Sequence, residues 1–301
     1  MTIIPPYLKK GDTIAITCPG GYMPAAKAAT CIHTLQQWGY EVMVGKTLGS
    51  NSKNYFSGTD EERLDELQAM LDDRSIKAIL FGRGGYGMGR IIDRVDLKKF
   101  RKHPKWLIGF SDITVLHIHL FNKYNIVSLH APMAAAFNEG ENEYTRSLRN
   151  VLEGEKNKYE TEPHPFNKKG EASGILVGGN LALLVNVIGT ASDFDTKNKI
   201  FFIEDTGEYI YSLDRMLYQL KRSGKFNKPA AIVFGGFTDM KDTERPFGKT
   251  ATEVLKEITE TFDYPVCFDF PVSHGKENVA LKIGGQYHLK ITRAKTVLKE
   301  I

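Results

Sequence analysis

The sequence predicts an α/β protein in two parts, a mostly parallel sheet with covering helices in an N-terminal domain and a smaller, mixed α/β domain after it. Three observations lead there. The chain has 301 residues, more than one compact domain usually holds. Across its first half, short apolar or β-branched runs alternate with amphipathic stretches, the pattern of strand–helix–strand units joined by right-handed crossovers. A stretch rich in Pro, Lys, Asn and Glu, from Lys156 to Lys169, interrupts that alternation, and the pattern changes after it. The expected division is an N-terminal domain over 1–155, a linker over 156–172 and a C-terminal domain over 173–301.

The elements follow in order. Thr13 to Cys18 reads as a strand, Ala25 to Trp38 as a helix and Tyr40 to Val44 as a second strand, because the apolar period switches from that of a strand to that of a helix and back. Thr59 with Glu62 three residues later forms a capping box that opens a helix to about Leu71. Ile76 to Phe81 is then a buried strand, Trp106 to Phe110 the next, Asp112 to Tyr124 a helix and Ile126 to Leu129 another strand. Beyond the break, Gly174 to Val177, Lys199 to Ile203, Ala230 to Phe234 and Val266 to Phe268 read as strands, with helices over Ser212 to Arg222 and Thr250 to Thr261. Ala280 to Ile283 and Tyr287 to Ile291, joined through Gly284 and Gly285, read as a hairpin.

Composition limits the function classes. Hydrophobic residues are 42% and charged residues 25% of the chain, values of a folded globular protein that disfavour disorder, collagen and coiled coil. Lys plus Arg number 40 against 36 Asp plus Glu, a net of +4 spread along the chain, too weak and diffuse to argue for nucleic acid. The three cysteines, Cys18, Cys31 and Cys267, are odd in number, far apart and without C-x-x-C spacing, so neither a disulfide framework nor a zinc site is indicated. No stretch approaches the ~18 apolar residues of a membrane span, and the first residues lack a signal-peptide core. A soluble protein of the reducing cytoplasm, without a membrane partner, is the expectation.

Ligands of open α/β sheets collect at the carboxyl ends of strands, and four strand ends stand out. In W-L-I-G-F-S-D-I-T, Ser111 ends an apolar strand and begins a helix. There a serine hydroxyl is exposed on a sharp turn, and the next N–H, that of Asp112, points toward an oxyanion. The segment resembles a G-x-S-x-G elbow with Ile113 in place of the last glycine; the plainer reading of Ser111 is a helix N-cap. In F-G-R-G-G-Y-G-M-G, Gly82, Gly84 and Gly87 satisfy G-x-G-x-x-G. That dinucleotide fingerprint belongs on the first strand of its unit, whereas this one follows at least two strands, so no dinucleotide cofactor is expected. Bare N–H groups in such a turn serve an oxyanion or a carboxylate equally well, and Arg83 within it could pair with a substrate carboxylate or simply be solvated.

The third end, I-F-F-I-E-D-T-G-E, places Glu204 and Asp205 after a strand, where carboxylates orient a histidine, bind a metal or cap a turn. Glu208 nearby invites a metal, but no clustered histidines support one, so no metal is expected. The fourth, F-P-V-S-H-G-K-E-N, holds His274 in a loop, a better setting for a general base than an apolar face. His130, before A-P-M, is the reserve candidate; His117 and His119 are two apart on a helix and do not share a face. Ser111, Glu204 and His274 thus supply a nucleophile, an orienting acid and a base, in that chain order.

Taken together, G-R-G-G-Y-G, G-F-S-D-I-T, V-G-G-N-L at Val177 to Leu181, I-E-D-T-G-E and V-S-H-G resemble the LD-carboxypeptidase family of serine peptidases, the muramoyltetrapeptide carboxypeptidases. The resemblance runs from K-K-G-D-T-I-A-I-T to the last strand pair. It implies a flavodoxin-like N-terminal domain with a smaller β-rich C-terminal one and a triad of Ser111, Glu204 and His274. It further implies an oxyanion hole from backbone N–H groups of Asp112 and Gly85. Specificity for a C-terminal residue needs a cation or N–H cluster to hold its carboxylate, and the glycine turn, with Arg83 and Gly84, is the expected substrate-binding element. It implies a metal-free, cofactor-free enzyme, commonly a homodimer, that releases terminal D-alanine from murein tetrapeptide in cytoplasmic cell-wall recycling. The same resemblance reaches peptidases acting on peptide-nucleotide antibiotics of the microcin C type, and a non-catalytic binding module of the same fold is the third reading. Cys18-Pro19-Gly20-Gly21 departs from the A-P-S common among relatives, so the first loop is expected to shape the pocket differently. Cys18 itself reads as a small buried residue.

Overall fold

The computed structural model describes residues 2–138 and 140–301, and the chain divides into two compact units, Met1–Glu155 with Val279–Lys282 and Lys156–Asn278 with Ile283–Ile301. The first unit contains β1 (Thr13–Thr17), α1 (Ala29–Gln37), β2 (Glu41–Val44), α2 (Asp60–Asp72), β3 (Ile76–Phe81), the short helices α3 (Met88–Ile91) and α4 (Lys98–Lys102), β4 (Trp106–Gly109), α5 (Thr114–Tyr124), β5 (Ser128–His130) and α6 (Glu143–Leu152). The second contains β6 (Lys158–Thr161), β7 (Gly170–Asn180), α7 (Leu181–Asn186), β8 (Ile200–Thr206), α8 (Ile210–Arg222), β9 (Ala231–Thr238), α9 (Ala251–Thr259) and β10 (Val266–Cys267). After it come β11 (Leu281–Ile283), β12 (Gln286–Ile291) and β13 (Thr296–Glu300).

The first sheet has the order β11-β5-β4-β3-β1-β2, and the pairs β5–β4, β4–β3, β3–β1 and β1–β2 are parallel. Covered by helices, the strands are near-continuous apolar runs, as doubly covered parallel strands must be: β4 is wholly buried and so is β3 apart from Lys77. Only the edge strand β2 is open, with Met43 and Val44 exposed. The box predicted at Thr59 is present, Glu62 N donating to Thr59 Oγ1 at 3.1 Å and Thr59 N to Glu62 Oε2 at 2.8 Å.

The second sheet has the order β10-β9-β8-β7-β12-β13-β6. Its eleven-residue strand β7 changes partner type along its length. Residues 170–175 pair antiparallel with β12, whereas 176–180 pair parallel with β8, so that Asn180 stands opposite Glu204. The bare Cα of Gly178, at φ +141°, permits this approach: a Cβ there would lie 1.8 Å from the Phe202 carbonyl oxygen.

Two expectations require correction. The late pair is not a hairpin: β11 joins β5 in the first sheet, while β12 pairs with β7 and β13 in the second. Ala280 to Ile283 are buried throughout, as an added strand in a covered sheet demands, and a hairpin with one solvated face would have alternated. The stretch 156–172 is not a free linker either. Lys158–Thr161 is a strand paired antiparallel with β13, and Lys168 Nζ donates to the carbonyls of Thr259, Glu260 and Phe262 at 2.7, 2.8 and 2.8 Å.

Candidate active site

In the first unit, parallel pairing and the adjacency of β4, β3 and β1 bring three strand-end loops side by side: residues 18–21, the glycine turn 82–87 and the elbow at 110–113. Ser111 sits at the elbow with φ +60°, a left-handed conformation that non-glycine residues rarely adopt. It is partly exposed, between the end of β4 and a 3₁₀ turn over Ser111–Ile113 that leads into α5. Phe110 holds the N-cap position of this turn and Ile113 that of α5, so the plain N-cap reading of Ser111 does not describe the local geometry. Strain of this kind is held where surrounding structure over-determines it, commonly at functional turns.

The glycine turn lies against the serine. A Cβ on Gly84 would stand 2.8 Å from Ser111 Cβ, 3.0 Å from its Oγ and 3.3 Å from the Asp112 nitrogen, so only glycine brings this backbone to the hydroxyl. Gly85 has φ +81°. Gly21 N donates to the Gly84 carbonyl at 2.9 Å, which fastens the first loop to the turn. Arg83 is exposed, and its Nη1 donates to the Tyr22 carbonyl at 2.9 Å. Cys18 is fully buried, and burial pushes its thiol up to about 12, with the Glu66 charge adding to the effect; a thiol so held is a packing residue, not a nucleophile.

Two residues of this cluster were not singled out from the sequence for their side chains. Asp112, fully buried, accepts from Met88 N at 2.8 Å through Oδ2. Arg63 of α2, also fully buried, donates to the Pro19 carbonyl, to Gly87 O at 3.3 Å and, through Nε, to Gly58 O at 3.3 Å, and pairs with Asp60. The signal for Arg63 was its place on the helix stripe shared with the buried Leu67 and Met70, where a charged residue needs a polar purpose.

The histidines of this unit separate by setting. His117 is buried, bridging Ser128 Oγ and Gly109 O at 2.8 Å each, and burial lowers its pKa to about 4; it ties β4 to β5. The His130 ring, also buried, packs on Phe110 at 5.7 Å.

In the second unit the chain after β10 runs beside the end of β9, with Phe270 N donating to Phe234 O at 3.0 Å and Gly236 N to Val272 O at 2.9 Å. Glycines at 235 and 236 allow it, since added Cβ atoms would meet Val272 O at 2.2 Å and Ser273 Cβ at 2.6 Å. This lays His274 beside the end of β8, where its Nδ1 meets Glu204 Oε2 at 2.7 Å. With a carboxylate oxygen as the acceptor, Nδ1–H is the donor of this bond. Glu204 is fully buried, while the His274 side chain keeps 19% of its surface open. Burial works against the charged imidazole, but the hydrogen bond and charge of Glu204 and the charge of Asp205 outweigh it, so the His274 pKa is raised. Ser273 Oγ holds the loop by donating to Glu277 O at 2.9 Å and accepting from Gly275 N at 3.0 Å.

Asp205 turns to other work. It accepts from Asn180 Nδ2 at 2.8 Å, Thr206 N at 2.8 Å and Ala182 N at 3.2 Å, and burial followed by the Glu204 charge pushes its pKa up to about 7. Among the described residues no group of three or more His, Cys, Asp or Glu is gathered to hold a metal, Glu204, Asp205 and Glu208 included.

Comparison with known proteins gives this geometry its class. The LD-carboxypeptidase N-terminal domain matches residues 14–131 and the LD-carboxypeptidase C-terminal domain residues 173–289. The chain therefore belongs to the LD-carboxypeptidase family, a family of serine peptidases. Among its relatives, a probable murein peptide carboxypeptidase of Bacillus subtilis (strain 168) is 34% identical over 98% of this chain and 94% of that protein. The murein tetrapeptide carboxypeptidase of Pseudomonas aeruginosa is 28% identical over 90% of this chain and 91% of its own. The crystal structure of a muramoyltetrapeptide carboxypeptidase from Oxalobacter formigenes matches with TM-score 0.85 and 29% identity over 96% of this chain and 98% of that one. MccF in complex with glutamyl sulfamoyl guanosine matches with TM-score 0.86 at 21% identity over 99% of both chains, a likeness of fold.

Proposed function

We propose that this peptidase is an LD-carboxypeptidase that releases the terminal D-alanine of murein tetrapeptide, with Ser111 as nucleophile, His274 as base and Glu204 as the acid that orients it. The observation that carries the reading is the 2.7 Å hydrogen bond from His274 Nδ1 to the buried Glu204. A buried carboxylate on one ring nitrogen fixes the tautomer and leaves the other to exchange a proton. The murein peptide carboxypeptidases among the relatives support the substrate.

In this reaction His274 Nε2 takes the Ser111 proton as Oγ attacks the scissile carbonyl carbon. The N–H groups of Asp112 and Gly85 stabilise the oxyanion, each such donor being worth about 10²–10³ in rate. His274 then gives its proton to the departing D-alanine nitrogen, leaving an acyl group on Ser111 that water removes with the same base. Arg83, exposed and held over the turn, binds the substrate carboxylate with Gly84. The reading also takes the enzyme to be a cytoplasmic homodimer, as the resemblance implies.

Mass spectrometry after incubation with purified murein tetrapeptide tests this. Loss of one alanine is the expected product. An intact tetrapeptide together with cleavage of a peptidyl adenylate in a parallel reaction overturns the substrate assignment, and turnover of neither by a folded protein overturns the enzymatic reading.

A further inference from the structure

We propose that the side chain of Asp112 is a positioning residue, which with Arg63 holds the glycine turn after β3 in place against Ser111. The inference rests on the reading of Ser111 as nucleophile and concerns what keeps its oxyanion donors aligned. Oδ2 of Asp112 accepts from Met88 N at 2.8 Å, immediately beyond the turn. The same oxygen lies 2.8 Å from where a Cβ of Gly20 would be, so the first loop closes over the carboxylate. Arg63 reaches the same place from α2, donating to Pro19 O in the first loop and to Gly87 O in the turn. One acidic and one basic side chain, both fully buried, thereby join all three strand-end loops.

The arrangement is costly to build, which argues for a purpose. A buried carboxylate loses its hydration, and an apolar residue of similar size would fill the space without that loss. Burial pushes the Asp112 carboxyl up to about 6, opposed by the N–H groups of Met88 and Gly87 and the facing charge of Arg63. The residue supplies its own N–H to the proposed oxyanion hole while its carboxylate anchors the turn that supplies the other donor. Both donors then move as one body, and a displacement near 1 Å at such a site costs about 10² in rate.

The test measures D-alanine release from murein tetrapeptide by wild type, Asp112→Ala, Asp112→Asn and Ser111→Ala, with melting curves to verify folding. Asn keeps an acceptor oxygen for Met88 N–H, whereas Ala does not. The expected result is a fall in kcat of about 10² for Asp112→Ala with KM within threefold, and recovery to within tenfold of wild type in Asp112→Asn. A folded Asp112→Ala with wild-type kcat overturns the positioning role while leaving Ser111 untouched. If Asp112→Ala fails to fold, Asp112→Asn decides: near-wild-type kcat supports the hydrogen-bond anchor, and loss as deep as that of Ser111→Ala overturns it. Undiminished turnover by Ser111→Ala overturns the underlying reading instead.

Discussion

At the residue scale, the chemistry is a matter of which protonation state each buried group can hold. In the proposed mechanism His274 serves as a base only when neutral, and its raised pKa predicts that activity falls as pH drops through that value. Glu204 is the carboxylate that raises it, so Glu204→Gln is expected to move the acidic limb of the kcat/KM profile to lower pH, and to cut kcat on the order of 10³–10⁴ by releasing the ring from its tautomer. A pH profile of the variant with its limb unmoved would contradict the assignment. The side chains that the sequence made legible here are those with a chemical signature at a strand end: serine at an elbow, histidine in a loop, paired acids. The stripe of α2 marks Arg63 as buried but not what it binds, and the Asp112 carboxylate carries no mark at all, because both act through close approach of three loops distant in sequence.

At the scale of elements, glycines decide how closely the strands and turns meet. Gly84→Ala would place a methyl 2.8 Å from Ser111 Cβ, and the expected outcome is a kcat loss of about 10² or more with an unchanged far-UV circular dichroism spectrum. Gly178→Ala attacks the sheet instead, since its methyl would lie 1.8 Å from Phe202 O; destabilisation by roughly 3 kcal/mol or more is expected in urea titrations. The alternation of β1 to β5 with helices was readable because covered parallel strands are continuous apolar runs. The fate of β11 was not. Its Leu-Lys-Ile sequence fits a hairpin or an added strand equally by pattern, and only the tertiary pairing with β5 distinguishes them. Likewise Lys158–Thr161 is polar enough to pass for a linker because β6 is an edge strand of alternating exposure.

For the whole molecule, stability should carry the mark of its buried acids. The Asp205 carboxyl is raised to about 7 in the folded state, so the folded chain holds a proton that the unfolded chain releases near its ordinary pKa. The contribution of this group is therefore present at low pH and lost as pH rises from about 4 through about 7. Asp205→Asn removes that loss, and the stability of the variant relative to wild type should climb between pH 5 and pH 8 in denaturant titrations; a difference independent of pH would contradict the burial argument. Both units place their candidate residues at the carboxyl ends of strands, Ser111 after β4 and Glu204 in the last part of β8. The proposed activity needs all of them. The most direct test is the rate of D-alanine release from murein tetrapeptide by wild type and by folded Ser111→Ala at equal concentration. A fall of at least about 10³ in the variant is predicted, and an undiminished rate would contradict the claim that Ser111 is the nucleophile.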